Sequence, residues 1–377
     1  MPCVVKFFTG FNGGSHADGY VEGFDYKTGN CGMVSSPVYS GAYSFRVFPT
    51  TTATAYGVVA PPGGDGTLEG NFNAMEVFGC FRFWVGAFPG TGYEHLLTVD
   101  NTGYEGMRIC VDHDGYLHLR DGSENLLGIS PDQITTGQWY LLEFKQKKSD
   151  ESYELKVDGV SKISGTIGAG WPGVLVRNIF VGKNINISSQ TIGFYYDDLV
   201  LCTGDYLTQP YSISTGSPVG DGYHTSWAHD WNYVKDVPPD GDITYRHAAT
   251  EGAKATQVRT APTGVGAIAA VMASFCVKRT YGGNSVKTLL RSNGTDKEST
   301  LAKLLGTNWT INLCQLEETD FGRGGIPWTN ANVGTLEFGL EHTAGVSGEG
   351  SRWTSATLSV LYCGSVCRAK AYYDLGG

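Results

Sequence analysis

Side chains with chemical potential are scattered through this chain, and few of them fall close together. Trp227, Trp231 and Tyr233 sit in the polar stretch Ser226–Tyr233. Aromatic rings in such a setting can stack on the faces of sugars, which makes these three the candidate ligand-binding residues. The same rings would equally serve to cover the end of a sandwich or to meet a neighbouring subunit. Asp112 and Asp114, with Asp100, Asn101 and Asp121 nearby, offer oxygen atoms of the kind a hard cation takes. Asp and Asn are also the ordinary turn formers, and these sit in turns. His224 and His229 lack the further ligands a zinc ion needs. Cys363 and Cys367 are spaced unlike the common zinc pair and have no second pair near in sequence. The run Gly322-Arg323-Gly324-Gly325 has no strand–loop–helix around it and reads as a loop rather than an anion cradle.

These residues must be held by many short elements. The chain has 377 residues, long enough for two full cores. Its 53 glycines are about twice the usual share of roughly 7%, aromatics are plentiful and charges few, which suits strands and tight turns better than helix bundles. A net charge of −10 with no basic run argues against a nucleic-acid partner. No apolar run approaches the length needed to span a bilayer. The first residues lack the features of a secretory signal. Nine widely spaced cysteines then read as buried free thiols of a reducing compartment.

In the first half, Tyr43, Phe45 and Val47 alternate with Ser44 and Arg46, the period of a half-buried strand. Phe78–Phe88 is dense enough in aromatics to be central. Two hairpins follow: Met107–Val111 and Tyr116–Leu119 flank His113-Asp114-Gly115, and Tyr153–Val157 and Val160–Ile163 flank Asp158-Gly159. Gly137–Phe144, Ile179–Val181 and Gly193–Leu201 add further strands. After Gly204 the residues to 222 are rich in Pro, Gly, Ser, Thr and Asp, and read as a linker. Domains are expected at 1–204 and 223–377. In the second half Ile243–His247, Ala255–Arg259, Val286–Ser292, Trp309–Glu317, Gly334–Glu341 and Thr357–Cys363 continue the strand pattern. Gly266–Lys278 is the longest apolar segment, and its β-branched and aromatic residues favour a strand over a helix. The expected class is all-β, with two β-sandwich domains.

The order "GAYSFRV", "FRFWV", "DHDGYLHL", "GQWYLLEF", "YELKVDG" and "FYYDDLVL" resembles the concanavalin A-like, laminin-G-like jelly roll over about Val4 to Cys202. The resemblance implies that the first strand lies beside the last. It implies one structural, loop-fixing residue in the pair Asp197-Asp198, the other being exposed. It also implies calcium as the cation that Asp112 and Asp114 would take; no other cofactor is expected. Glucanases of this fold carry Glu-x-Asp-x-Glu on one strand, since hydrolysis needs two carboxyl groups a few Å apart. No such run occurs here, so no catalytic residue is named and an enzyme is not expected.

The segments "NYVKDVPPDGDITYRHAATEGAKATQV", "TLLRSNGTD" and "IPWTNANVGTLEFGLE" are similar to a β-sandwich module of tailed-bacteriophage structural proteins. Trp328 would pack under Leu336–Leu340. Together the two resemblances imply a non-enzymatic virion protein, assembled in the host cytoplasm as a capsid-decorating or tail-attached part. Its partners would be other virion proteins, further copies of itself, and glycans of a host surface or mucus. The alternative is a carbohydrate-binding or glycan-cleaving protein acting alone.

Overall fold

The computed structural model divides the chain into two compact units, Lys6–Tyr206 and Leu207–Gly377 with Met1–Val5. It describes residues 3–12, 26–48, 55–59, 74–101, 104–168, 171, 175–183, 193–207, 209–280, 283–299, 302–305, 307, 309, 311–344 and 350–364. Cys367 lies outside them. The architecture is all β, built of stacked antiparallel sheets, with one short α-helix among the described residues.

The strands begin with β1 (Val4–Thr9), of which Lys6 onward belongs to the first unit, and in that unit continue with β2 (Tyr26–Thr28), β3 (Cys31–Val34), β4 (Ser44–Val47) and β5 (Ala55–Val59). The middle group is β6 (Glu76–Val85), β7 (Tyr93–Asn101), β8 (Tyr104–Asp112), β9 (Tyr116–Arg120) and β10 (Leu126–Gln133). Then come β11 (Trp139–Lys147), β12 (Ser152–Val157), β13 (Val160–Thr166), β14 (Val176–Lys183) and β15 (Phe194–Thr203). One sheet runs β13-β12-β11-β6-β15-β4-β3, with β1 beside β15. The other runs β10-β9-β8-β7-β14-β5-β2. The first strand therefore does lie beside the last.

Between the sheets, alternate residues supply the core. Phe45, Phe81, Phe83, Phe144, Phe194 and Tyr196 are all buried, with neighbouring rings about 6 Å apart in tilted and edge-on pairs. Burying each such ring contributes roughly 1.5–3 kcal/mol. Gly79 faces Phe144 across the β6–β11 ladder. A Cβ there would stand 2.3 Å from the ring, so only glycine lets the phenyl seat.

A β-bulge interrupts β15, where the step from Asp197 to Val200 opposes the shorter step from Arg82 to Cys80. Asp198 takes a left-handed φ of 46°. The expectation of one buried and one exposed carboxylate fails here, because the extra residue breaks the alternation and both are buried. Asp197 Oδ2 accepts the backbone N–H groups of Tyr39 and Ser40 at 3.0 and 3.1 Å, and its Oδ1 accepts that of Asp198. Asp198 Oδ1 accepts the Ser40 hydroxyl at 2.8 Å. Two side chains thus clamp the β3–β4 loop onto the sheet.

In the second unit one sheet orders Tyr211–Gly216, Ser351–Cys363, Ala267–Arg279 and Ile311–Glu317, with Arg246–Ala248 beside Ser351–Cys363. The facing sheet orders Gly220–Thr225, Lys254–Val258, Glu337–Ala344, Ser285–Ser292 and Thr295–Glu298. The long apolar segment is a strand, and its Val271, Ala273, Phe275 and Val277 meet Phe338, Leu340 and Trp353 in the core. Trp328 is buried in the same core. Residues 205–222 are not a plain linker: Tyr211–Gly216 pairs with Leu358–Cys363, and Gly220 and Asp221 pair with Val258 and Gln257. Tyr211 and Ile213 point inward while the exposed Ser212 supplies the polar character of a sheet edge. Seven described cysteines are free thiols, but Cys363 is disulfide-bonded, which corrects the expectation of thiols throughout.

Burial raises the pKa of Asp197 and Asp198, and the charge of Asp198 raises that of Asp197 further. With folded values above the unfolded ones, the native state binds more protons, so this contribution to stability is present at low pH. It is lost as pH rises from the ordinary carboxylate range through the raised values. Asp198→Asn, which keeps the acceptor for Ser40, should shrink the loss of stability between pH 5 and pH 8 by on the order of 1 kcal/mol. Urea unfolding of both proteins at the two pH values measures it; an unchanged pH dependence would refute the coupling.

Candidate functional site

Three neighbouring strands, β7, β8 and β9, place chemistry-bearing residues at alternate positions on the outer face of the second sheet. Leu97, Val99, Ile109, Val111, Leu117 and Leu119 are buried apolar residues of the same strands. The pleat, reset by a β-bulge between His95 and Leu97, sends the intervening residues outward. Across the ladder His95 meets Cys110 and Cys110 meets His118, while Thr98 meets Arg108 and Arg108 meets Arg120. Tyr93 stands opposite Asp112.

Glu124 ties this set together from the turn after β9. Asp121 builds that turn, its Oδ1 accepting the N–H groups of Ser123 and Asn125 at 2.8 and 2.9 Å. Glu124 then adopts a φ of 67° and turns its carboxylate back over the sheet. Its Oε1 accepts from Arg108 Nη1 and lies 3.4 Å from His95 Nε2. Its Oε2 accepts the Tyr93 hydroxyl at 3.0 Å. Arg120 stacks its guanidinium 3.9 Å from the centre of the Tyr93 ring and donates to the Glu124 carbonyl. The floor is closed, with His95 at 0% and Arg108 at 3% exposure, while the Glu124 side chain keeps 29%. Solvent therefore meets a carboxylate and a guanidinium locked around one phenol ring.

A second pair adjoins the first. Asp112 Oδ2 lies 3.0 Å from His118 Nε2, and burial lowers the pKa of that imidazole against the pull of Asp112. Burial likewise lowers that of Arg108. Cys110, His118 and Asp112 stand in neighbouring register as a nucleophile, base and orienting acid would. However, burial pushes the Cys110 thiol up to about 12. It stays protonated, so this trio is not a nucleophilic triad.

The residues singled out in the sequence are placed elsewhere or otherwise engaged. Trp227 is 3% exposed, donates its indole N–H to the Ala253 carbonyl and packs edge-on against Trp353. It is a core residue and not a ligand contact, which corrects that assignment. Trp231 and Tyr233 share a single 3₁₀ turn, Tyr233 stacking on His229 at 4.4 Å and Lys235 lying near the Trp231 ring. Asp112 Oδ1 accepts the N–H groups of Asp114 and Tyr116 at 3.0 and 2.8 Å. With Oδ2 on His118, this carboxylate serves its turn, and the exposed Asp114 faces His113. No group of three or more potential metal ligands occurs among the described residues. The set around Glu124 was missed, although Tyr93-x-His95, Arg108-x-Cys110-x-Asp112 and Tyr116-x-His118-x-Arg120 repeat one alternation in three successive strands.

No family model matches the chain, and no curated protein matches it. Solved structures with a similar fold include Cip1, a cellulose-induced protein, at 14% identity and a TM-score of 0.40, covering 52% of this chain and 97% of that one. An endo-β-1,4-glucuronan lyase of Trichoderma reesei is 15% identical with a TM-score of 0.39, over 53% of this chain and 96% of the lyase. A Trypanosoma rangeli sialidase is 12% identical with a TM-score of 0.34, over 46% of this chain and 26% of the sialidase. The likeness is one of β-sandwich fold. The expectation that the chain is not an enzyme is withdrawn, since the sequence run whose absence suggested it is only one of several routes to glycan cleavage; a lyase and a sialidase are among the similar chains. That expectation rested on a missing Glu-x-Asp-x-Glu run, which serves one route to glycan cleavage. Sialidases use a tyrosine nucleophile, and elimination calls for a base and a stabilising cation instead.

Proposed function

We propose that this chain is a glycan-acting protein that holds its ligand on the outer face of β7, β8 and β9. The observation that carries the reading is Glu124, whose carboxylate is fixed by Arg108 and Tyr93 while Arg120 stacks on the same ring. Sugar hydroxyls both donate and accept. A carboxylate beside a guanidinium meets a vicinal pair of them in both senses, with charge-assisted bonds. The Arg120 guanidinium stacked on the Tyr93 ring adds a flat surface on which a pyranose can lie. Phe180 and Tyr56, paired edge-on at 5.3 Å on the adjoining strands, extend the apolar ground. Because the groups are locked before a ligand arrives, little ordering entropy opposes binding. Tyr93, His95 and Glu124 are also residue types that acid–base cleavage employs. The reading does not depend on the virion setting that the sequence resemblance implies.

A glycan array followed by titration calorimetry on the hits tests this. Tyr93→Ala and Arg120→Ala should each weaken binding by about ten-fold or more, and release of reducing ends in the same mixtures reports cleavage. An array with no hit, or hits that both variants bind as well as the parent, would sink the reading. Glu124→Gln separates holding from contacting. Losing the charge opposite Arg108 should cost about 1–2 kcal/mol of stability, the low end for a broken pair because Glu124 is part exposed. Binding should weaken by more than Arg108 alone explains. Chemical denaturation and calorimetry on this variant read the two effects apart.

A further inference from the structure

The opposite side of the same unit carries a different surface. On the outer face of the first sheet one cross-strand row runs Trp139, Trp84, Tyr195 and Arg46 over β11, β6, β15 and β4. Three inter-strand gaps of about 4.8 Å make this row roughly 14 Å long. Trp84 and Tyr195 meet edge-to-face at 4.9 Å. Tyr39, 44% exposed, reaches in from the clamped β3–β4 loop and touches the edge of Trp139. Arg82, two residues before Trp84, lays its guanidinium 4.2 Å from the centre of the Tyr39 ring. Arg46 does the same over Phe48 at 5.5 Å. The row is half-buried rather than closed.

What separates this face from the Glu124 face is its charge. Among the described residues neither Arg46 nor Arg82 is hydrogen-bonded to a carboxylate, although the Arg82 charge is near enough to Asp198 and Glu143 to pull their pKa values down against burial. Asp197 and Asp198 lie close by in register; Asp197 accepts the Tyr39, Ser40 and Asp198 amides, and Asp198 Oδ1 accepts the Ser40 hydroxyl. A guanidinium stacked on a ring can still present its two Nη groups, whose spacing matches a carboxylate bidentately. The chain as a whole carries −10, so no general attraction would bring a polyanion here. The match would be local.

We propose that this row is a second binding site, independent of the Glu124 face, for a polysaccharide bearing carboxylates. Trp84, Trp139 and Tyr195 take the sugar faces, and Arg46 and Arg82 take the acidic groups. The test uses the full chain with polygalacturonate and its methyl-esterified form, the same backbone with and without charge. Calorimetry should show the acid bound about ten-fold or more tighter than the ester, with affinity falling as salt rises. Arg82→Ala and Trp84→Ala should each lose a similar factor, Arg82→Lys should recover only part of it, and Arg120→Ala on the other face should keep full affinity. If Arg82→Ala lowers the melting temperature, Arg46→Gln and Trp139→Ala on the rim replace it. Equal affinity for acid and ester, no binding of either, or unaltered affinity in well-folded variants would overturn the proposal. So would an equal loss in Arg120→Ala, which would assign the ligand to the Glu124 face.

Discussion

The first unit depends on a pair of buried carboxylates that the sheet cannot satisfy by regular pairing. Asp197 and Asp198 sit at a bulge in a central strand, where the chain carries one residue more than its neighbour. Removing a charge from water is costly unless hydrogen bonds replace it. Here the replacements come from two backbone amides and a hydroxyl of the β3–β4 loop. The loop is fixed because the carboxylates need donors, and the carboxylates are tolerated because the loop supplies them. Tyr39 is carried by that loop, so its place beside Arg82 and Trp139 follows from a buried polar demand rather than from any packing of its own ring.

The pleat then divides the work. On each sheet one set of alternate residues builds the aromatic and aliphatic core, and the other set is left to face outward. The outward sets differ in how their charges are settled. Over the second sheet the arginines are answered within the fold, Arg108 by the Glu124 carboxylate and Arg120 by its carbonyl and the Tyr93 ring. Over the first sheet Arg46 and Arg82 lie over rings, and Arg82 meets the Asp198 and Glu143 carboxylates through space. A settled network favours neutral, hydroxyl-rich ligands, since an added carboxylate would have to displace Glu124. A ring contact by itself does not neutralise a guanidinium.

Much of the fold was legible in the sequence because it is written in period two. The hairpins at Asp114-Gly115 and Asp158-Gly159 fall between β8 and β9 and between β12 and β13, and Ala267–Arg279 forms a strand as its β-branched residues suggest. The misses have physical reasons. Tyr211–Gly216 and Gly220–Thr225 are edge strands whose polar outward residues mimic a linker. The Asp197–Asp198 bulge cannot be seen from alternation, since it is the point where alternation stops. Trp227 looked like a surface aromatic because its sequence neighbours are polar, yet the indole fills the core of its unit. Local composition reports the strand's surroundings and not the direction of one side chain.

The candidate site was legible in part and passed over. In the hairpin around Gly115 the apolar alternates announce the core, and attention to them hides the other half of the pattern. The residues between them, Arg108, Cys110, His118 and Arg120, continue across the ladder to His95 on β7. Glu124 could not be joined to them from sequence, because its reach depends on a left-handed backbone set by Asp121. A polar face built to be solvated would leave its charges mobile, and each would contribute little. Here two donors, Arg108 and Tyr93, converge on one carboxylate, and the Tyr93 ring is itself stacked, which costs side-chain entropy that folding alone gains little from. That expense is understandable where a fixed array of donors and acceptors has something to meet, which is the physical ground of the glycan proposal.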